Sequence, residues 1–596
     1  MKTRKEIDFK YKIDTKDLFK SDEEFNKEIK NVNSILNDIS KHKDHILDSD
    51  VNLLETLDLD VLISERIERL YLYAHLHNDF DLADQNANEL IGKAMKVYQN
   101  YSAISSFIVP EITAGDYETI ENYINKNADL KKYKRILKEL FRLKDHILTK
   151  DEEKILSKIS ESFSLPEEVH TKLLDSDLTF ESIKDENGKT VKLTTSNYAK
   201  YIESFDRRVR KSTFKKFYKA YKSVLNTTAC ALNFEVKNNN TMASIRHYGS
   251  ALEAALTAND VDKKVYETLL KSIDNNIDII TKQWDVRKKV LGIKDLHIYD
   301  TYVSLVKDYN KSYTFEDAKN LTLKSLSVLG KEYIETIKQA FDNNWIDVYP
   351  TKNKRSGGYC TACYLAHPYV FLNFDGRYDE VSTVVHELGH AMHYFYAIKN
   401  NTYQDYGYSI FVAEVASQVN ELLLSYYMLD NSESKEEKLF ILDELMKRFK
   451  ASVVRQTMFS EFEYKIHEKE QNGEVLTKEL FNDLYYDLNK KYYGKNVIID
   501  DEIKYEWSRI PHFYYNFYVY QYSTGYIAAL KLASDIYNKK EGALEKYLEF
   551  LGLGCTKDPV TSLKIAGVDL TDENTFNEAF KEFSKTMNQF EELIKE

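Results

Sequence analysis

The stretch YDEVSTVVHELGHAMHYFYAIKN (residues 378–400) decides the reading of this chain, because a helical pattern carries His386-Glu387-Leu388-Gly389-His390. Histidines four apart lie one turn apart on one helix face, so both imidazoles can reach a single ion at about 2.0–2.1 Å. Glu387 points toward the same ion and can take a proton from water held there. Asp379, Glu380 and Ser382 supply capping and dipole-matched residues at the start, and Val384, Val385, Leu388 and Met392 form a buried side. Gly389 inside a helix costs about 1 kcal/mol against alanine, so it implies that another chain segment comes close.

A zinc peptidase needs a third protein ligand and an open fourth position. His393 fails by geometry: at about 1.5 Å per residue it lies roughly 10 Å along the axis from His386. The longer pattern H-E-x-x-H-x-x-G-x-x-H fails too, because His393 stands where glycine is needed and Tyr396 where histidine is needed. The third ligand therefore comes from another helix. FVAEVASQVNELLLSYYML (411–429) is strongly helical and carries Glu414 among Val412, Val415 and Ala416. A lone acid on an apolar face needs a partner, which selects Glu414, with Glu421 as the alternative. Ser417 and Gln418 are placed to support the ligands by hydrogen bonds.

The chain has 596 residues, 43% of them hydrophobic, and a net charge of −13. The acidic balance argues against nucleic acid as a partner. No segment approaches a membrane span and the first residues lack a signal-type apolar core, so the protein is expected to be cytoplasmic. Four cysteines are too few for a disulfide framework, in keeping with a reducing compartment. Cys360 and Cys363 are read as reduced thiols in a loop.

Only six prolines and eighteen glycines interrupt a mainly helical pattern without a fixed repeat. In 64–107, long helices break near Asp79 and stop before Pro110. Asn187-Gly188, between alternating segments, predicts a β-hairpin. It is taken as the seam between an N-terminal helical region, 1–195, and a catalytic region, 196–596. The segment 354–380 predicts a strand from Tyr369 to Phe374 directly before the His-Glu helix.

One further stretch, RIPHFYYNFYVYQYSTGY (509–526), is crowded with tyrosines, which a core rarely uses because each buried hydroxyl needs a partner. Read as one continuous helix, it puts His512, Tyr515, Tyr522 and Tyr526 on a single face.

GGYCTACYLAHPYVFLNFDGRYDEVSTVVHELGHAMHYFYA, FVAEVASQVNE and RIPHFYYNFYVYQYSTGY together resemble oligoendopeptidase F, a branch of the thimet-oligopeptidase-like zinc metallopeptidases. The resemblance implies a mainly α, zincin-type fold whose two helical halves enclose a deep channel with one zinc ion on its floor. It implies hydrolysis of internal bonds in short unfolded oligopeptides, with no obligate protein partner. Carried over, His386, His390 and Glu414 match the family's zinc ligands and Glu387 its general base. His512 matches a histidine lining the site, and Tyr522 and Tyr526 are assigned with it to the oxyanion.

Tyr515, Phe371, Asn373 and His393 complete the candidate substrate contacts, with the strand from Tyr369 pairing with the peptide backbone. A helical carboxypeptidase or dipeptidyl carboxypeptidase, using Arg509 as a carboxylate clamp, is the alternative activity. An inactive peptide-binding protein is the alternative outside enzymes.

Overall fold

The computed structural model describes residues 2–307, 309 and 311–595, and these are mainly helical with a few short strands. They form two compact units: Met1–Asp145, Asn310–Tyr427 and Leu532–Gly567 in the first, and His146–Tyr309, Met428–Lys531 and Val568–Glu596 in the second. Strands β1 (Ser182–Lys184) and β2 (Thr190–Lys192) lie in the second unit. Strands β3 (Ile346–Asp347), β4 (Tyr359–Thr361) and β5 (Tyr369–Phe371) lie in the first. Four helices matter for the site: α1 (Tyr378–Asn400), α2 (Ile410–Asn431), α3 (Arg455–Gln471) and α4 (Tyr520–Tyr537).

In the first unit, the helices Asp22–Ile39, Asp50–Phe80 and Gln85–Ser105 share one core with Cys363, Tyr369 and Phe371. Ser49 starts the second of them by accepting the Asn52 N–H at 3.1 Å. That helix stops at Phe80, next to the expected break at Asp79. Asp79 is fully buried and accepts from Arg355 Nε at 2.6 Å and from the Tyr359 hydroxyl at 2.8 Å. A buried carboxylate demands such partners, so these bonds pin the segment before β4 to the helix.

The sheet order is β3-β5-β4, with β5 parallel to β3 and antiparallel to β4. This corrects the expectation that the strand from Tyr369 offers an edge to substrate. Tyr369, Val370 and Phe371 are all buried, and such a run suits a central strand bonded on both sides. Phe371 stacks on Tyr359 at 4.9 Å and is fully buried, which removes it from the substrate contacts. The edges are β3 and β4, and β4 carries Cys360, so the two cysteines do not share a loop. All four cysteines are free thiols.

Asp379 and Glu380 occupy the first turn of α1 as expected, but Ser382 is not a cap. Its hydroxyl donates to Glu421 at 2.8 Å. Gly389 sits against α2: a Cβ there would lie 2.6 Å from Ser417 Cα and 2.7 Å from the Ala416 carbonyl oxygen.

In the second unit, the hairpin forms at Asn187-Gly188, with Gly188 at φ 78°. Ile183 and Leu193 join Tyr201 and Val209 in a small core, and the first chain crossing between units falls at Asp145–His146.

The 509–526 stretch is not one helix. A short turn at Pro511–Tyr514 is followed by Asn516 at φ 41° and Phe517 at φ 59°, and α4 begins only at Tyr520. Proline supplies no N–H, and the Phe517 N–H is taken by the Glu463 carboxylate at 2.7 Å, so the helical ladder breaks on both sides. The single-face reading of His512, Tyr515, Tyr522 and Tyr526 is corrected accordingly.

Replacing Gly389 by alanine should destabilise the protein by about 1–3 kcal/mol, because backbone atoms of α2 must give way. Thermal unfolding measures it, and an unchanged melting temperature would show that the α1–α2 contact is looser than described.

Candidate metal centre

His386 and His390 project from α1 as an i, i+4 pair with ring centroids 4.9 Å apart. Glu414, from the second turn of α2, faces both: its Oε2 lies 3.3 Å from His386 Nε2 and 3.5 Å from His390 Nε2. Bonds of about 2.0–2.2 Å to a tetrahedral zinc ion place ligand atoms about 3.3–3.6 Å apart, so this spacing fits one ion at the centre. Among the described residues, these three are the one group of His, Cys, Asp or Glu whose ligand atoms fall within 4.8 Å of each other.

The other nitrogen of His386 fixes its role. Nδ1 lies 3.4 Å from Glu421 Oε2, while the other Glu421 oxygen accepts from Ser382. A carboxylate on Nδ1 holds the proton there and leaves the Nε2 lone pair for a metal. Ser417 donates to both the carbonyl and the Oε2 of Glu414, at 2.8 and 2.9 Å. Glu421, weighed from sequence as an alternative ligand, lies on the Nδ1 side of His386, away from the Nε2 atoms that face Glu414. The signal was present: Glu414 and Glu421 are seven apart on one face of α2, and Ser382 and His386 are four apart on α1.

The charges agree. Burial works against protonation of His386, but the Glu414 and Glu421 carboxylates raise it to about 10. Burial favours the neutral form of Glu414, yet hydrogen bonds from His386 and His390 hold it well below the usual carboxylate range. The carboxylates around His386 thus call for positive charge, and a divalent cation supplies that charge while the ring stays a neutral ligand. The donor set fits a metal.

Glu387 is 7% exposed, and burial raises its carboxyl against the lowering effect of His386 and His390. Its Oε1 lies 3.7 Å from where a side chain on Gly358 would begin, just before β4.

Other sequence candidates lie elsewhere. His393 is 1% exposed and stacked on Tyr408 at 3.7 Å, in an aromatic core that pushes its imidazole down to about 3; substrate has no access to it there. Asn373 spends its amide on the Arg355 and Gly357 carbonyls, which shapes the turn before β4. Gln418 has a buried Oε1 without a hydrogen-bond partner and makes no bond to the ligands. In the second unit, His512 Nε2 and the Tyr522 hydroxyl are 3.5 Å apart. Tyr515 is 46% exposed beside His512, whereas Tyr526 is 4% exposed and packs edge-on to Phe449. Arg509, the candidate carboxylate clamp, is paired with Glu506 and lies over Tyr198 and Phe217.

A mainly helical zincin-type fold with a His-Glu-x-x-His helix and a glutamate from the next helix defines a metallopeptidase. The profile of peptidase family M3 matches residues 200–582, and that of Oligopeptidase F matches 111–180. The chain belongs to peptidase family M3. It is 41% identical to Oligopeptidase PepF of Bacillus subtilis (strain 168), over 97% of this chain and 86% of that one. A solved structure from Chlamydophila abortus, 34% identical, superposes with a TM-score of 0.93 over 99% of this chain and all of that one. Oligoendopeptidase-F of Enterococcus faecium, 32% identical, gives 0.73 over 96% and 99%.

Replacing Glu421 by alanine should weaken metal binding about 10–100-fold while leaving one metal per chain at saturation. Competition with a chelator measures it; unchanged affinity would strip Glu421 of its orienting role.

Proposed function

We propose that this chain is a zinc-dependent endopeptidase that cuts internal bonds of short, unfolded oligopeptides. The reading is supported by membership of a peptidase family and by relatives named as an oligopeptidase and an oligoendopeptidase that match 97% and 96% of this chain. The convergence of His386, His390 and Glu414, with Glu387 next to the first ligand, carries the reading. Zinc is favoured as the ion by two imidazoles and one carboxylate at tetrahedral spacing. When bound, the ion supplies Lewis acidity, polarising a carbonyl and acidifying water.

Glu387 receives the proton of the attacking water and returns it to the departing amine. Its burial raises the carboxyl toward the proton affinity a base needs near neutral pH. The peptide backbone pairs with the outer edge of β4, which adjoins Glu387, and main-chain pairing of this kind makes side-chain specificity broad. His512 and Tyr522 are our candidates for hydrogen bonds to the oxyanion, supported by their mutual contact. Assignment to the cytoplasm rests on the four free cysteines. The proposed division into regions 1–195 and 196–596 draws support from a gap between the matched family segments, which cover 111–180 and 200–582.

Endopeptidase action is favoured over exopeptidase action because Arg509, the proposed clamp, is held by Glu506. Cleavage of one peptide with a free or amidated C-terminus separates the two: internal cuts insensitive to amidation are expected, and loss of cleavage on amidation would overturn the assignment. Glu387→Gln should keep its metal and lose at least about 10²-fold in kcat. His512→Phe should lose about 10²–10³-fold in kcat at unchanged metal content; full specific activity with lowered stability would return this segment to a core role.

A further inference from the structure

Strand β4 gives a bound peptide a direction, and one end of its path carries a charged side chain with unused donors. The Val370 N–H bonds to the Trp345 carbonyl at 2.9 Å, so Val370 turns its backbone toward β3. Its neighbours Tyr369 and Phe371 turn theirs toward Thr361 and Tyr359 of β4. Cys360, between those two, therefore points its N–H and C=O at the open edge. A peptide that pairs with this edge in the antiparallel sense, the more stable one, runs from Thr361 toward Arg355 as it goes from N- to C-terminus. Glu387 adjoins that path at Gly358, so Arg355 stands on the C-terminal side of the bond that is cut. It lies three residues before Gly358, a distance that at about 3.3 Å per residue matches three residues of an extended peptide.

Arg355 is fixed by its backbone and by one nitrogen of its side chain. Its N–H donates to the Asp79 carbonyl at 3.0 Å, its carbonyl accepts from Asn373 at 2.9 Å, and Nε donates to the Asp79 carboxylate at 2.6 Å. Asp79 also accepts from the Tyr359 hydroxyl and lies 3.4 Å from His75 Nε2, so its two oxygens are shared among three partners. Among the described residues, Nη1 and Nη2 of Arg355 make no hydrogen bond, and the side chain is 48% exposed. Tyr71, 41% exposed and stacked on His75 at 5.4 Å, flanks the same group. Anchoring β4 uses Nε alone; the outer nitrogens are left for something that arrives.

A guanidinium is charged at every physiological pH, and paired N–H donors on its edge match the geometry of a carboxylate. The bond to Asp79 sets the plane of the group before substrate binds, so little freedom is lost when a carboxylate docks. The side chain of Tyr359 reaches the same Asp79, and a peptide residue opposite Tyr359 places its own side chain on that face. We propose that Arg355 selects substrates carrying an aspartate or glutamate side chain within three residues on the C-terminal side of the bond that is cut. This preference is superimposed on the broad specificity of main-chain pairing. It rests on the peptidase reading and on docking at β4.

The test uses pairs of internally quenched peptides with amidated C-termini, glutamate replacing glutamine at one position at a time on either side of a cut located by mass spectrometry. Glutamate should raise kcat/KM about 3–10-fold at one of the first three positions after the cut and leave it unchanged before the cut. Raised salt should shrink the ratio, because the contact is partly exposed. Arg355→Gln should bring the ratio to about 1, and Arg355→Glu should favour lysine at the same position. Loosening of β4 alone would slow both peptides of a pair equally and leave the ratio intact. A ratio of about 1 in the unaltered protein, a preference only before the cut, or an unchanged ratio in a folded Arg355→Gln protein would overturn the proposal. Zinc-dependent hydrolysis of the glutamine peptide reports the peptidase reading separately.

Discussion

Everything at the metal centre depends on how closely α1 and α2 approach at Gly389. A β-carbon at that position would meet the backbone of Ala416 and Ser417 at 2.6–2.9 Å, so only glycine permits the contact. That contact brings Glu414, two residues before Ala416, within 3.3–3.5 Å of the two imidazoles on α1. The roughly 1 kcal/mol lost by placing glycine inside a helix is offset by a site that no single helix could build. Asn420 reinforces the pairing by donating to the Val385 carbonyl at 3.2 Å while accepting from Tyr333 at 2.9 Å.

The same helix pair also fixes the direction of each ligand. Ser382, Glu421 and His386 form a chain across the two helices, and Ser417 holds Glu414 from within α2. Ligand atoms that are oriented before metal arrives lose less freedom on binding, which is why such supporting bonds affect affinity. On the other side of α1, β4 stands beside Glu387 and is anchored through Tyr359 and Arg355 to the buried Asp79. A break in a helix some three hundred residues earlier in the chain is thus tied to the strand next to Glu387.

The cluster of His386, His390 and Glu414 was legible in the sequence because helical periodicity sets its spacing: i, i+4 for the histidines, and an isolated acid on an apolar helix. Gly389 was legible for the same reason, as a residue whose cost needs a close neighbour. The errors arose where tertiary contacts override local pattern. The strand at Tyr369 reads alike as edge or centre, and only its bonds to β3 and β4 decide. The 509–526 stretch has helical periodicity, but Pro511 and the Glu463 bond to the Phe517 N–H interrupt it. His393 lies on the motif helix, yet a stack on Tyr408 draws it into the core. Glu421 was placed in the neighbourhood of the histidines, but sequence does not say which imidazole nitrogen a carboxylate meets, and in the structure it meets Nδ1 of His386.

The central claim is that one divalent ion, held by His386, His390 and Glu414, makes this chain a peptidase. The most direct measurement strips the protein with a chelator and titrates zinc back while following the hydrolysis of an internally quenched peptide. The account predicts no hydrolysis in the stripped protein and a linear recovery that levels off at one zinc per chain. Hydrolysis that survives complete removal of metal, or recovery that is the same when Glu414 is replaced by alanine, would contradict it.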